Sequence, residues 1–263
     1  GSVVHGIEKI ANEQNFNVLI YQSNELYEHE KKGVQTFLRL QVDGVLASIS
    51  KETINLDHYS EIKNRGIPLI LFDRANDKLG VSSVVVDDYA GAFEATKHLI
   101  QQGCRRIAHI GGQQHVSIFN QRLKGYIDAL NVHNIPVNED LIVYGKVSIE
   151  SGITCMMKLL AGPTMPDAVF AVEDFTALGA VQAIKAAHKK IPEDIAIIGF
   201  ANEAFGEYLT PSLSTINQQT VRMGEEAANL FFQGQQKTGF PHEPRKLVLN
   251  PELIARQSSM KYL

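Results

Sequence analysis

The sequence has 263 residues, 44% hydrophobic and 21% charged, with a net charge of -4, which suits a globular chain of one large domain or two lobes. The acidic balance, with no Lys/Arg stripe beyond short pairs such as Arg105-Arg106 and Lys189-Lys190, excludes a chain that holds nucleic acid by itself. No run approaches the roughly 18 apolar residues that cross a bilayer, and Glu8, Lys9 and Glu13 make the start unlike a secretion signal.

In chain order, short apolar runs fall at Val18-Leu19-Ile20, Gly44-Val45-Leu46, Leu69-Ile70-Leu71-Phe72 and Val84-Val85-Val86. More follow at Ile107 to Ile110, Leu141-Ile142-Val143, Ala168 to Val172 and Ile195 to Ile198. Runs that are apolar on both faces predict buried parallel strands. Between them lie stripes at helical spacing: Val34, Phe37 and Leu38, then Phe93, Thr96, Leu99 and Ile100. Asp87 and Asp88 are the capping candidates that open the second of these, and Gly103 closes it. Leu123, Tyr126, Ile127 and Leu130 form a third stripe, and Ile153, Met156, Met157 and Leu160 a fourth, all read as core. Gly239-Phe240-Pro241 and Pro251 mark late turns.

Strand-helix alternation implies parallel sheets covered on both faces. Two sheets of five or six strands compete with a closed eight-stranded barrel. The ending, Leu213 to Ile216, a helix over 220–233 and Lys246 to Leu249, fits a chain that crosses back between two lobes better than a barrel.

Motifs of catalysis are missing: there is no GxSxG elbow, no Walker loop and no HExxH. Gly111-Gly112 follows a strand but is not GxGxxG, so no dinucleotide cofactor is expected. The nine histidines are scattered, and neither His109 nor His115 has a second ligand at metal spacing. Cys104 and Cys155 form no CxxC pair and read as single thiols of a reducing compartment. Asp73 and Glu173 end strands, the position at which ligands of parallel sheets bind. That position serves binding at least as well as acid/base chemistry, so an enzyme is not expected.

Several segments, in order, resemble one family. Val85-Val86-Asp87-Asp88-Tyr89-Ala90-Gly91-Ala92 leads to His98-Leu99-Ile100 and Gly103-Cys104-Arg105-Arg106-Ile107-Ala108-His109-Ile110-Gly111-Gly112. Arg122-Leu123-Lys124-Gly125-Tyr126 and Pro166-Asp167-Ala168-Val169-Phe170-Ala171 follow, with Ala177-Leu178-Gly179-Ala180 next. Ile191-Pro192-Glu193-Asp194-Ile195-Ala196-Ile197-Ile198-Gly199-Phe200, Leu209-Thr210-Pro211-Ser212-Leu213-Ser214-Thr215-Ile216 and Met223-Gly224 complete the set. Together they resemble the effector domain of the lactose/galactose-repressor (LacI-GalR) family over essentially the whole chain.

The resemblance implies an α/β fold of the periplasmic-binding-protein type: two Rossmann-like lobes with parallel sheets, joined by three crossovers, clamping a small ligand between them. Residues 1–86 with 220–246 would form the first lobe, and 87–219 with 247–263 the second. It also implies a homodimer, with the helix after Asp174 and Phe205 to Tyr208 in the contact, and DNA binding only through a headpiece absent from this sequence. The family's domain opens with a strand and loop before its first helix, whereas this sequence opens at that helix, Val3 to Asn15.

Arg122 matches the family's ligand-binding arginine, whose guanidinium can fork onto a diol or carboxylate. Asp73 matches the strand-end acid of the first lobe, with a turn role beside Arg74 as its alternative. Glu173-Asp174 stands where relatives often have Asn-Asp, and Ala201-Asn202 where sugar and purine sensors carry Asp. The expected ligand set is thus Arg122, Asp73, Glu173 and Asn202 for polar contact and Phe200 and Val147 for apolar contact. The ligand expected is a sugar or sugar derivative that differs from plain galactosides and purines. A cytoplasmic transcription regulator is the leading reading and a periplasmic sugar-binding transport protein the rival, since one fold serves both.

Overall fold

The computed structural model describes residues 1–236 and 243–261. The late turn expected at Gly239-Phe240-Pro241 lies outside them. The chain divides into two compact units, Gly1–Val86 with Gln219–Leu249 and Asp87–Gln218 with Asn250–Leu263.

The chain opens with α1 (Ser2–Glu13), α2 (Tyr27–Leu40), β1 (Val45–Ala47), α3 (Asp57–Asn64), β2 (Leu69–Phe72) and β3 (Ser82–Val86). It continues with α4 (Asp88–Gln101), β4 (Ile107–Gly111), α5 (Ser117–Val132), β5 (Ile142–Tyr144), α6 (Ile149–Ala161) and β6 (Ala168–Ala171). Then come α7 (Asp174–Ala186), β7 (Ala196–Ile198), β8 (Thr215–Asn217), α8 (Thr220–Gln236), β9 (Lys246–Leu249) and β10 (Glu252–Ile254).

The first unit carries a parallel sheet in the order β1-β2-β3-β9. Its buried side collects Val34 and Leu38 of α2, Tyr59 and Ile62 of α3, and Val45, Leu69 and Leu71 of the strands. The buried Glu30 carboxylate accepts from Ser50 N and Thr53 Oγ1 and meets His58 Nε2, tying α2 to the loop after β1 and to α3. On α1 and α8, a Cβ on Gly6 would overlap the Val221 carbonyl and one on Gly224 the Val3 carbonyl, so the two backbones cross in direct contact.

Two expectations fail in this unit. Val18-Leu19-Ile20 is no strand: Leu19 and Ile20 are 57% and 56% exposed, and among the described residues the edge strand β1 is laddered only to β2. The run does not pair with the open edge of β1, so its backbone groups form no ladder. The stretch instead lines a groove of about 930 Å³, together with Ile7, Ala11, Leu46 and Phe231. The second correction concerns Leu247 to Leu249, which sequence reading gave to the second lobe. Leu247, Val248 and Leu249 pair in parallel with Val84, Val85 and Val86, so the last boundary falls after Leu249.

The second unit holds a parallel sheet in the order β5-β4-β6-β7. Bridges Ile198↔Ser214 and Ala201↔Asn217 lead on to the antiparallel pair β8-β10. Among the described residues each unit therefore builds a sheet of four, not five or six, and β10 and α3 went unread. Val169, Ala171, Ile197 and Ile110 of the strands pack with Met156 and Leu159 of α6 and Ile184 of α7. Met157, expected in that core, is 60% exposed because it follows the inward Met156 by about 100° around the helix. Leu141 lies in a short 3-10 turn that precedes β5. The buried hydroxyls of Ser214, Ser258 and Ser259 knit the C-terminal segment to β7 and to His98 of α4.

Candidate functional site

The second unit's site begins with α5, whose inward side carries Ile118, Phe119, Arg122, Gly125, Tyr126 and Ala129. Arg122 is thus one helical turn from Ile118 and from Tyr126 on a face otherwise apolar. A guanidinium there must be paired, since an isolated buried charge is strongly unfavourable. Arg122 is 2% exposed. Its Nε and Nη2 both lie 2.7 Å from Asp88 Oδ1, and Nη1 donates to the Val172 carbonyl at 2.6 Å. Its Cζ sits 3.7 Å over the Phe200 ring centroid, a cation–π stack. Phe119 flanks it at 6.0 Å, and Val147 packs against the small cluster of Val116, Ile118, Phe119 and Val172.

These groups meet where the strands end. Val172 follows β6, Gly199 and Phe200 follow β7, and Asp88 opens α4 beside Asp87, whose side chain caps that helix by accepting from Ala90 N. The carboxyl edge of a parallel sheet is where such folds hold ligands.

The expected residues divide accordingly. Arg122, Phe200 and Val147 fall in or against one cluster, but Phe200 is fully buried and offers its face to Arg122 rather than to solvent. Glu173, expected to reach a ligand, turns one carboxylate oxygen back on α7, accepting from Phe175 N and Thr176 N. An acid just before a helix finds unpaired amides there, and that competes with any outward role. Asn202, also expected to supply hydrogen bonds, has left-handed φ, and its Oδ1 accepts from Arg256 Nη2 at 2.9 Å. Asp73, in the first unit, has φ 58°. It accepts from Ser48 Oγ and the neighbouring Arg74, whose guanidinium also grips Glu25 and the Ile49 carbonyl.

Asp88 was missed as a site residue, because an acid pair ahead of a helix reads as capping. Two more titratable groups lie deep in this unit. The Asp174 carboxyl, which accepts from Glu203 N and Thr215 Oγ1, is pushed up to about 6 by burial. His109 stacks on Tyr126 and Phe170, donates from Nδ1 to the Phe170 carbonyl, and is driven down to about 4 by burial. Its Nε2 has no partner among the described residues. No group of three His, Cys, Asp or Glu is placed to hold a metal ion among the described residues.

Two α/β units, one presenting polar groups at its carboxyl strand ends, define a small-molecule binding domain. Comparison with known proteins specifies the class. Residues 96–259 match the family model described as a periplasmic binding protein-like domain. The transcriptional regulator DegA of Bacillus subtilis (strain 168) is 32% identical over 98% of this chain and 76% of its own length. CelR of Thermobifida fusca is 33% identical over 97% of this chain and 74% of its own. Among solved structures, the transcriptional regulator CelR in complex with cellobiose superposes with a TM-score of 0.88 at 30% identity, covering 98% of this chain and 78% of that one. A LacI family regulator from Enterococcus faecium with bound ribose gives 0.85 at 27%, covering 100% and 94%.

The chain belongs to the LacI type of transcription regulators and corresponds to their ligand-sensing, periplasmic-binding-protein-like domain. Its relatives are regulators, which does not favour the transport reading. No helix among the described residues is long and apolar enough to cross a membrane.

Proposed function

We propose that this domain senses a small hydroxylated effector, a sugar or sugar derivative, at the carboxyl strand ends around Arg122. The observation that carries the reading is the buried guanidinium held in one orientation by Asp88, Val172 O and Phe200. A preset donor is what specific recognition of ligand oxygens requires. Val147 supplies apolar contact, Glu173 and Asn202 stand at the same strand ends, and Asp73 is the first unit's own strand-end candidate for ligand hydrogen bonds. The relatives bound to cellobiose and to ribose support a sugar. A thermal-shift screen against neutral sugars, sugar acids and nucleobases tests it. A sugar should raise the melting temperature by mass action, and a screen in which only nucleobases do so would sink the sugar reading.

The domain acts without catalysis, in the cytoplasm, as part of a homodimeric repressor whose DNA contact lies in a separate headpiece. The Phe175 and Phe205 rings meet tilted at 43° with centroids 5.0 Å apart, and Phe175 and Tyr208 are exposed on the second unit, which suits an aromatic-rich dimer contact. Effector binding would change operator affinity by altering how the two headpieces are presented. Sedimentation should give a dimer at micromolar concentration. The headpiece-bearing protein should bind operator DNA with steep salt dependence. This domain alone should not retard the probe, and equal retardation by both would refute the division.

A further inference from the structure

We propose that Asp88 sets the charge class of the effector: by neutralising Arg122 it admits uncharged, hydroxyl-bearing ligands and excludes anions. The inference rests on the effector reading above and deepens it.

An arginine in a binding site ordinarily invites carboxylate or phosphate, because its fork matches their oxygens. Here the fork is already matched. Nε and Nη2 converge on Asp88 Oδ1, and the two side chains are 2% and 6% exposed. Away from water such a pair behaves as a single neutral dipole, and its mutual attraction is little screened. The other neighbours of the guanidinium, the Val172 carbonyl and the Phe200 ring face, are electron-rich as well.

An anion brought to Arg122 would therefore approach a second negative charge within the same few ångströms, and would be desolvated without a free cation to meet it. Arg256, the next arginine along the strand ends, is committed to Asn202, Glu207 and the Leu213 carbonyl. Lys146, ahead of Val147, is exposed, where water and salt weaken its pull. A hydroxyl has no such conflict. Its oxygen accepts from the guanidinium while its proton goes to a carboxylate, so a diol can answer both members of the pair at once.

The experiment is calorimetry on the full 263-residue chain with inorganic phosphate and with paired probes, cellobiose against cellobionate and ribose against ribonate. Wild-type protein should show no phosphate binding at millimolar concentration, and whichever pair binds should bind through its neutral member. Asp88→Asn, checked for folding by circular dichroism, should leave Arg122 uncompensated and gain phosphate affinity by about tenfold or more. Wild-type binding of phosphate, or of an acid as tightly as its neutral partner, that is lost in Arg122→Ala overturns the proposal. So does a folded Asp88→Asn that gains no anion affinity. If that variant does not fold, the wild-type phosphate and paired-sugar measurements still decide. Failure of every sugar to bind wild type would count against the effector reading, while the phosphate measurements would still report on Asp88.

Discussion

Arg122→Ala is expected to lower the unfolding free energy of the second unit by about 3–5 kcal/mol, because it takes the guanidinium away from the buried Asp88 carboxylate. The Val172 carbonyl loses a donor and the Phe200 face its cation in the same step. Urea denaturation of the two proteins measures the difference. The double variant Arg122→Ala with Asp88→Ala should recover part of it, since a cavity without a charge costs less than a charge without a partner. Affinity should fall too. Losing a charge-assisted bond to the ligand removes about 1.5–3 kcal/mol, or roughly ten- to a hundredfold. Calorimetry well below the variant's melting temperature separates the two effects. Unchanged affinity would remove Arg122 from the site, and unchanged stability would mean that the Asp88 carboxylate is held without the guanidinium.

How much of this was legible beforehand depends on whether the pattern or the partner decides. The runs at Leu69 to Phe72, Ile107 to Ile110 and Ala168 to Val172 became β2, β4 and β6, because strands covered on both faces can only be apolar throughout. The same pattern misread Val18 to Ile20, since hydropathy does not report whether a run pairs with the sheet edge near it. Lys246 to Leu249 was readable as a strand, but not that it joins β3, because sheet order is a long-range choice among equally apolar edges. Arg122 was found through resemblance and its helix. Its ion pair with Asp88 spans 34 positions in sequence and leaves no local signal. Glu173 and Asn202 show the converse: residues at the right strand ends whose side chains are drawn to nearer partners, the α7 amides and Arg256.

Two buried groups of the second unit, His109 and Asp174, should contribute opposing acid dependences. His109 titrates near 4 in the fold against an ordinary 6.5. Between those values the unfolded chain takes up a proton that the folded imidazole refuses. Its contribution is therefore present above pH 6.5 and lost as pH falls toward 4, about 3 kcal/mol in all. Asp174 runs the other way. It is raised from 3.8 to about 6, so above pH 6 the fold holds a buried carboxylate at a penalty that the unfolded chain does not share. That penalty, also about 3 kcal/mol, is relieved as pH falls from 6 toward 3.8. In the wild type the two nearly cancel, leaving the other groups of the unit to set the slope, among them the buried His98, whose imidazole is also held below its ordinary value by burial. His109→Phe keeps an aromatic ring between Tyr126 and Phe170 and removes one of the two opposing effects. Relative to wild type, its stability should rise by about 3 kcal/mol between pH 6.5 and 4, on top of a pH-independent offset from the lost bond to the Phe170 carbonyl. Asp174→Asn should give the mirror image, falling by about as much over the same range. Urea midpoints at half-unit intervals of pH measure both curves. Profiles parallel to wild type would show that neither group changes its charge state on folding, and an identical slope in both variants would rule out the opposition.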